Sequence, residues 1–310
     1  MGVNALVGYT GFVGSNLWQY GRFDCGFNTG NIEEAYGLRP DLLVYAGIRA
    51  EKYLANEYPK KDMEIIRQAE ENIRRIEPKK LVLISTVDVL QQTAMPNEDT
   101  AVVTEGLQPY GYHRYLLEEW VREFYADALV VRLPALFGIN IKKNFIYDYI
   151  KKIPFMIKKS KMDELMAMCP EIARYYSVRE DDYYQCIELT SGDKKKLIEL
   201  LDGVSFNALH FTDSRNSYQF YPLDRLWSDI QKVLEKQLNI WHPATEPITA
   251  GELFYELEGR EFHNEILKQP IRYQFTTKYA SLFGRSGNYI CEKSELMGKI
   301  KAFVQEYKDI

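Results

Sequence analysis

Residues 3–14 read Val3-Asn4-Ala5-Leu6-Val7-Gly8-Tyr9-Thr10-Gly11-Phe12-Val13-Gly14, a short apolar run closed by three glycines spaced three apart. Val3 to Val7 predicts a strand, and Ser15 to Tyr20 predicts the helix that follows it. A pyrophosphate needs bare backbone N–H groups and a helix N-terminus close by. Glycine lets the backbone turn tightly and approach such a ligand, and the last glycine lets helix and strand pack closely. Three glycines also make a tight turn that binds nothing. Their position after the first strand of an alternating pattern favours the nucleotide-binding reading.

The pattern outward from this turn is consistent. Phe23 to Phe27 is a weak second strand, and Asp41 to Ala46 is a near-continuous apolar run, as expected of a strand buried on both faces. Pro59 to Arg75 is helical, Leu81 to Ile84 a strand, Tyr110 to Tyr125 a helix and Ala128 to Leu133 a strand. Strands alternating with helices predict an α/β fold, a Rossmann-type doubly wound parallel sheet with right-handed crossovers. After about residue 140 the pattern loosens. Lys142 to Met168 reads as helix, Pro170 to Leu201 as helix and loop, and His210 to Tyr221 as holding a strand. Asp224 to Leu238, Ala250 to Tyr255 and Ser294 to Tyr307 read as helix. The expected organisation is a dinucleotide-binding domain over 1–140 and a smaller, mostly helical substrate lobe over 141–310, some of whose segments return to the main sheet.

The 310 residues are 46% hydrophobic and 27% charged, with 39 Lys+Arg against 44 Asp+Glu and a net charge of −5. That balance excludes a disordered or collagenous chain and gives no global attraction to nucleic acid or anionic lipid. Cys25, Cys169, Cys186 and Cys291 form no C-x-x-C pair, and His113, His210, His242 and His263 are scattered, so no metal site is expected. No signal-peptide pattern and no apolar run of about 18 residues is found, so the expected location is the cytoplasm, with no membrane partner.

Later motifs narrow the function. Leu81 to Ile84 runs into Ser85-Thr86-Val87-Asp88-Val89, and Pro109-Tyr110-Gly111-Tyr112-His113-Arg114 opens a helix. Tyr45-Ala46-Gly47 follows the third strand, Arg132 to Gly138 (RLPALFG) leaves the fifth, and Tyr221-Pro222-Leu223-Asp224 comes later. Together with Gly8-x-x-Gly11-x-x-Gly14, these motifs, in this order, resemble the extended short-chain dehydrogenase/reductases, the branch containing sugar-nucleotide epimerases, dehydratases and reductases. Ala46 to Pro59 is similar to the corresponding loop of GDP-fucose synthases and dTDP-4-dehydrorhamnose reductases. The likeness covers the first 140 residues well and the remainder loosely.

The resemblance implies an NAD(P)-dependent oxidoreductase or epimerase acting on a nucleotide-activated sugar. It implies Tyr110 as acid/base, Arg114 as partner of the phenolate and of the nicotinamide ribose, and Thr86 as donor to the substrate oxygen. Asp88 falls where dehydratases carry a proton-abstracting glutamate. The implied cofactor site comprises Gly8, Thr10, Gly11, Phe12, Val13, Gly14, Asn28, Ala46, Gly47, Ser85, Tyr110, Arg114 and Pro134. The implied substrate contacts are Thr86, Lys143 and Asn144, and the family's habit implies a homodimer.

The chain departs from the family pattern in three places. Arg114 replaces the family's lysine. An arginine is always charged but planar and bulkier, and it cannot lend a proton to a relay. A sensor or scaffold that binds NAD(P) with little catalysis is therefore the alternative. The acid that follows the threonine in dehydratases is Val87 here, so water elimination is disfavoured, and Asp88 reads equally as a turn residue. At the second strand's end Asn28 stands in place of the acid that holds the adenosine ribose, with Asn31 nearby; the cofactor is NAD or NADP, leaning to NAD. The lysines from Lys142 to Lys161 suit an anionic substrate or a solvated helix face.

Overall fold

A computed structural model describes residues 2–90, 95–179 and 182–308. The contacts divide the chain into two units, one of residues 1–141, 217–248 and 271–300, the other of 142–216, 249–270 and 301–310.

The first unit begins with β1 (Asn4–Val7), α1 (Phe12–Tyr20), β2 (Cys25–Phe27), β3 (Leu42–Tyr45), α2 (Lys52–Glu57), α3 (Pro59–Ile76), β4 (Leu81–Thr86), α4 (Pro109–Phe124) and β5 (Leu129–Leu133). With the later strand Ile240–Trp241 they build a six-stranded sheet in the order Ile240–Trp241, β5, β4, β3, β1, β2. Every neighbouring pair in it is parallel. The register sets Ala5 beside Cys25 on one side and Leu43 on the other, and Ser85 and Thr86 beside Arg132 and Leu133.

The alternation of side chains along these strands makes two cores. Ala5, Val7, Leu43, Tyr45, Leu81 and Leu83 face Ile66, Ala69, Ile73 and Ile76 of α3 and Leu117 and Val121 of α4. Leu6, Val44, Val82, Leu129 and Val131 face Leu17 of α1 and Leu226, Trp227, Ile230 and Val233 of the helix Leu226–Glu235. The sheet is therefore covered on both faces, which is why its strands read as unbroken apolar runs. Strand order reverses at β1, whose neighbours are β2 and β3, so the crevice beyond its carboxyl end is the place where open α/β sheets receive ligands.

A buried polar network stiffens β4, α4 and β5. Glu118 accepts from Arg132 Nη2 (2.6 Å) and Nε (3.0 Å) and from Ser85 Oγ (2.5 Å), and Arg132 Nη1 lies 3.5 Å from His242 Nε2.

The second unit contains helices Phe145–Lys151, Lys159–Met168, Ser191–Gly203 and Ala250–Glu258. It also contains an antiparallel sheet in which Tyr183–Cys186 lies between Met156–Lys158 and Tyr176–Val178. Ile157, Met162, Leu165, Ile172, Leu197 and Leu201 are the centre of its core.

The sequence reading differs from the structure in short elements. The helical stretch Lys142 to Met168 is interrupted by Met156–Lys158, and Pro170 to Leu201 holds two strands as well as a helix. Strands of three or four residues carry too few alternations to show a period of two. Helix α2 and strand Ile240–Trp241, six and two residues long, were likewise not anticipated.

Candidate active site

The glycine turn sits at the carboxyl end of β1. Gly8 adopts φ +89°, donates its N–H to Phe27 O (2.7 Å) and accepts from Gly11 N (2.9 Å). A Cβ on Gly8 would lie 2.5 Å from Ala46 O, and one on Gly14 would lie 2.0 Å from Gly8 O. Gly8 and Gly14 are thus required by backbone packing alone. Gly11 differs: its φ of −77° suits any residue, and a Cβ there would meet only Gly8 O, at 3.3 Å. It is the N-cap of α1 and supplies no side-chain hydrogen bond to the helix. Capping hydroxyls or carboxylates are the usual partners of these first N–H groups, and an anion is the usual substitute. Bare N–H groups at Phe12 and Val13, an approach without Cβ, and Ala46 and Gly47 against Gly8 fit the diphosphate of a dinucleotide.

Thr10 lies in the same turn. Asn28 follows β2, where its amide oxygen accepts from Gly30 N (2.8 Å) while its own N–H goes to Asn31 Oδ1 (2.8 Å). Both asparagines thus build a local turn, which explains these residue types without a ligand. Ser85 gives its hydroxyl proton to Glu118, so its side chain has no proton left to donate to a ligand. Pro134 follows β5 and is half-buried.

The second group of predicted residues gathers at the end of β4. Thr86 ends that strand and Asp88 lies in the 3-10 turn beyond it, its N–H donated to Thr86 Oγ1 (3.2 Å). Helix α4 starts with Pro109 at its first position, and Tyr110 N–H donates to Asn56 Oδ1 of α2 (2.9 Å). A Cβ on Gly111 would stand 2.1 Å from Asp88 O, so the helix crosses directly on the turn. Tyr110 is 7% exposed.

Arg114 is committed inward. Its Nη1 donates to Asp62 Oδ2 (2.5 Å) and Tyr110 O (3.2 Å), and its Nη2 donates to Asp62 Oδ1 (2.9 Å) and Arg49 O (2.7 Å). The guanidinium carbon lies 4.0 Å from the centre of the Tyr110 ring, and the residue is 3% exposed. Four of its five N–H groups are taken, so the guanidinium holds the tyrosine's face and backbone rather than offering a fork to a ribose. His113 shares the same carboxylate, its Nδ1 being 2.7 Å from Asp62 Oδ2.

Burial pushes the Tyr110 phenol up, and Asp88 adds to this; Arg114, Lys52 and the Thr86 hydroxyl pull it down without cancelling it. The phenol is therefore a proton donor at neutral pH.

Three residues at this site were not anticipated. Lys52 Nζ donates to Asp88 Oδ1 (2.7 Å), and Tyr273 OH donates to the same oxygen (3.0 Å). Asp62 anchors Arg114. Lys52 lies in the Ala46 to Pro59 loop already singled out, but a lone exposed lysine carries no further signal. Lys143 and Asn144 belong to the second unit. Asn144, at φ +89°, caps helix Phe145–Lys151 by accepting from Ile146 N (3.0 Å) and Tyr147 N (3.4 Å). Lys159 and Lys161 pair with Asp163 and Glu164 on their own helix. Among the described residues, no cluster of metal-ligating side chains and no helix long and apolar enough to cross a membrane occurs.

No family model and no curated protein matches the chain. Solved structures do match over nearly its whole length. dTDP-4-dehydrorhamnose reductase from Yersinia enterocolitica aligns over 99% of this chain and 100% of its own, with a TM-score of 0.64 at 12% identity. RMD from Pseudomonas aeruginosa, complexed with NADPH, aligns over 99% and 100%, with a TM-score of 0.60 at 15% identity. The fold is thus a Rossmann-type α/β fold like that of these two proteins. The chain also resembles UDP-N-acetylglucosamine 4-epimerase from Methanobrevibacter ruminantium M1, in complex with UDP-N-acetylmuramic acid. That match covers 99% of this chain and 98% of the epimerase, with a TM-score of 0.62 at 10% identity.

Proposed function

We propose that the protein is an NAD(P)-dependent oxidoreductase or epimerase acting on a nucleotide-activated sugar. The observation that carries this reading is an uncapped glycine turn at the strand-order reversal, in the same unit as a buried tyrosine whose helix crosses on the turn after Thr86. The backbone of Gly8 to Gly14 would hold the diphosphate, with Ala46, Gly47 and Asn28 beside it. Bound there, a nicotinamide dinucleotide supplies or removes a hydride.

The protein's own residues handle the proton. Tyr110, kept neutral by burial, donates its hydroxyl proton to a carbonyl oxygen as that oxygen gains negative charge. Thr86 donates a hydrogen bond to the same oxygen. Arg114 fixes the ring from behind and supplies positive charge that limits the cost of the phenolate. A neutral phenol is the form that the reductive direction uses. In nucleotide sugars the anionic diphosphate anchors the sugar, and lysines of the second unit such as Lys143 suit that charge.

The test is consumption of NADH or NADPH in the presence of UDP-, GDP- and dTDP-activated 4-keto sugars. Turnover that Tyr110→Phe lowers by about 10²–10⁴-fold supports the assignment. Turnover that survives Tyr110→Phe overturns it.

The closed arrangement of Arg114 favours a second reading, dinucleotide binding without catalysis. Under it, Asp62 and Arg114 lock a former active site, and the protein binds cofactor but oxidises none with any sugar nucleotide. A gain in turnover on Arg114→Lys marks that case.

A further inference from the structure

A cavity of about 240 Å³ lies against the turn after β4, its polar lining made by Lys52, Asp88, Gln108, Arg272, Tyr273 and Gln274. All of these belong to the first unit. The cavity adjoins the candidate active site, since Asp88 follows Thr86 by two residues and Gln108 precedes Tyr110 by two. Its volume is below the roughly 300–1,000 Å³ of pockets that take drug-sized ligands, so it suits one sugar ring or a substituent of one, and no whole nucleotide.

Two cations line the cavity, Lys52 and Arg272, and a single anion, Asp88. That anion is already matched. Its Oδ1 accepts from Lys52 Nζ (2.7 Å) and from Tyr273 OH (3.0 Å), and its Oδ2 lies 3.5 Å from Thr86 Oγ1. Lys52 donates a second N–H to Tyr273 OH (3.2 Å), which leaves the third for a ligand, and its side chain is 46% exposed. Arg272 is exposed and has no ion pair among the described residues. Gln108 begins α4 without a side-chain cap bond, and both it and Gln274 are exposed, so two carboxamides are free to turn N–H groups inward. The lining therefore offers an ammonium N–H, a guanidinium fork and two carboxamides against one open carboxylate oxygen. Donors are in surplus, and one positive charge is left over in a chain whose net charge is −5. A sugar hydroxyl donates as well as accepts and calls for no such surplus. A carboxylate only accepts, and the planar guanidinium meets both of its oxygens at once.

We infer that this cavity receives the carboxylate of an acidic sugar, such as a hexuronate, with Arg272 and Lys52 as the residues that select it. Arg272 takes the carboxylate through its fork, and Lys52 adds its unspent N–H. Asp88 and Tyr273 fix the ammonium by taking its other two. Lys52 and Asp88 alone would be a neutral pair with no pull on an anion; Arg272 supplies the charge that makes the cavity attractive to one. Neither cation takes part in hydride or proton transfer. They decide which sugar stays. The inference rests on the proposed function for the nucleotide to which the sugar is joined, but the preference of the cavity for an acid can be read with free sugars as well.

The test is calorimetric titration of the full chain at low ionic strength, where such a charge pair is least screened. The probes come in pairs that differ in the acid group: UDP-glucuronate against UDP-glucose, and GDP-mannuronate against GDP-mannose. Where no nucleotide sugar binds, free D-glucuronate against methyl D-glucoside is read instead, by saturation-transfer NMR. We expect the acid to bind at least tenfold tighter than its neutral counterpart. Arg272→Gln and Lys52→Met are each expected to lower that preference at least fivefold, the second because it leaves Asp88 uncompensated beside the incoming carboxylate. Both side chains are largely exposed, and an unchanged melting temperature shows that each variant is folded. A preference below tenfold, or no binding of any acid, overturns the inference. A drop smaller than fivefold in either folded variant overturns it too. If only the free pair shows the preference and no nucleotide sugar binds, the proposed function fails while the cavity keeps its ligand. If neutral nucleotide sugars are turned over with NADH or NADPH and the acids are not preferred, the proposed function stands and this inference falls.

Discussion

Tyr110 and Gly11 are the two residues whose chemistry decides most. The phenol is raised by burial above its ordinary value, so it remains protonated throughout the neutral range. In the reductive direction the rate is expected to stay level through neutral pH and to fall only on an alkaline limb above pH of about 10, where the free phenol ionises. A fall beginning near pH 7 in a pH–rate profile would show that another group controls the proton. Gly14 tests packing instead of chemistry. Its missing Cβ would overlap Gly8 O at 2.0 Å, so Gly14→Ala is expected to lower stability by about 1–3 kcal/mol in urea unfolding. The glycine spacing could be read from the sequence because the turn is built within seven consecutive residues. The surroundings of Asp88 could not. Its partners Lys52 and Tyr273 are 36 and 185 residues away, and nothing local distinguishes them.

At the level of elements, α4 carries the site because three features fix its first turn. Pro109 starts it, Asn56 accepts the Tyr110 N–H, and glycine at 111 lets it lie on the Asp88 carbonyl. Asp62 of α3 then ties α3 to α4 through Arg114 and His113. Removing that carboxylate leaves a buried guanidinium unpaired. Asp62→Ala is expected to cost about 3–5 kcal/mol in chemical denaturation, whereas breaking an exposed pair such as Lys159–Asp163, which water and salt screen, is expected to change stability far less. A loss below 1 kcal/mol for Asp62→Ala would mean that the clamp is not formed. The parallel strands were legible as apolar runs because they are buried on both faces. The antiparallel strands of the second unit, three or four residues each, were not, since their contacts and not their sequence select the conformation.

At the scale of the whole molecule, the core of the first unit contains charge as well as hydrocarbon. His242 is held neutral, its affinity for a proton pushed from 6.5 down to about 3 by burial and by Arg132. The unfolded chain takes up that proton below about 6.5 and the folded chain does not, so this neutrality favours the fold above that pH. Stability is lost progressively as pH falls from 6.5 toward 3. The slope of unfolding free energy against pH across this window should be shallower in His242→Gln than in the wild type, and equal slopes would contradict the assignment. The alternation of strands and helices, and with it the α/β class, follows from hydropathy alone. The division into units does not, because residues 217–248 and 271–300 join the first unit by contacts far apart in sequence.

The central claim is that the uncapped turn from Gly8 to Gly14 receives the diphosphate of a nicotinamide dinucleotide. Gly11 offers a sharp test because its backbone accepts any residue and its place is the N-cap of α1. An aspartate there would cap the helix and repel the diphosphate at once. The measurement is the melting temperature of the wild type and of Gly11→Asp with NAD, NADH, NADP and NADPH. We predict a rise for the wild type with at least one of the four, worth about 2.7 kcal/mol at a hundred times Kd. We predict no rise for Gly11→Asp, whose own melting temperature is unchanged or higher. No rise in the wild type with any of the four, or an equal rise in the variant, would contradict the account.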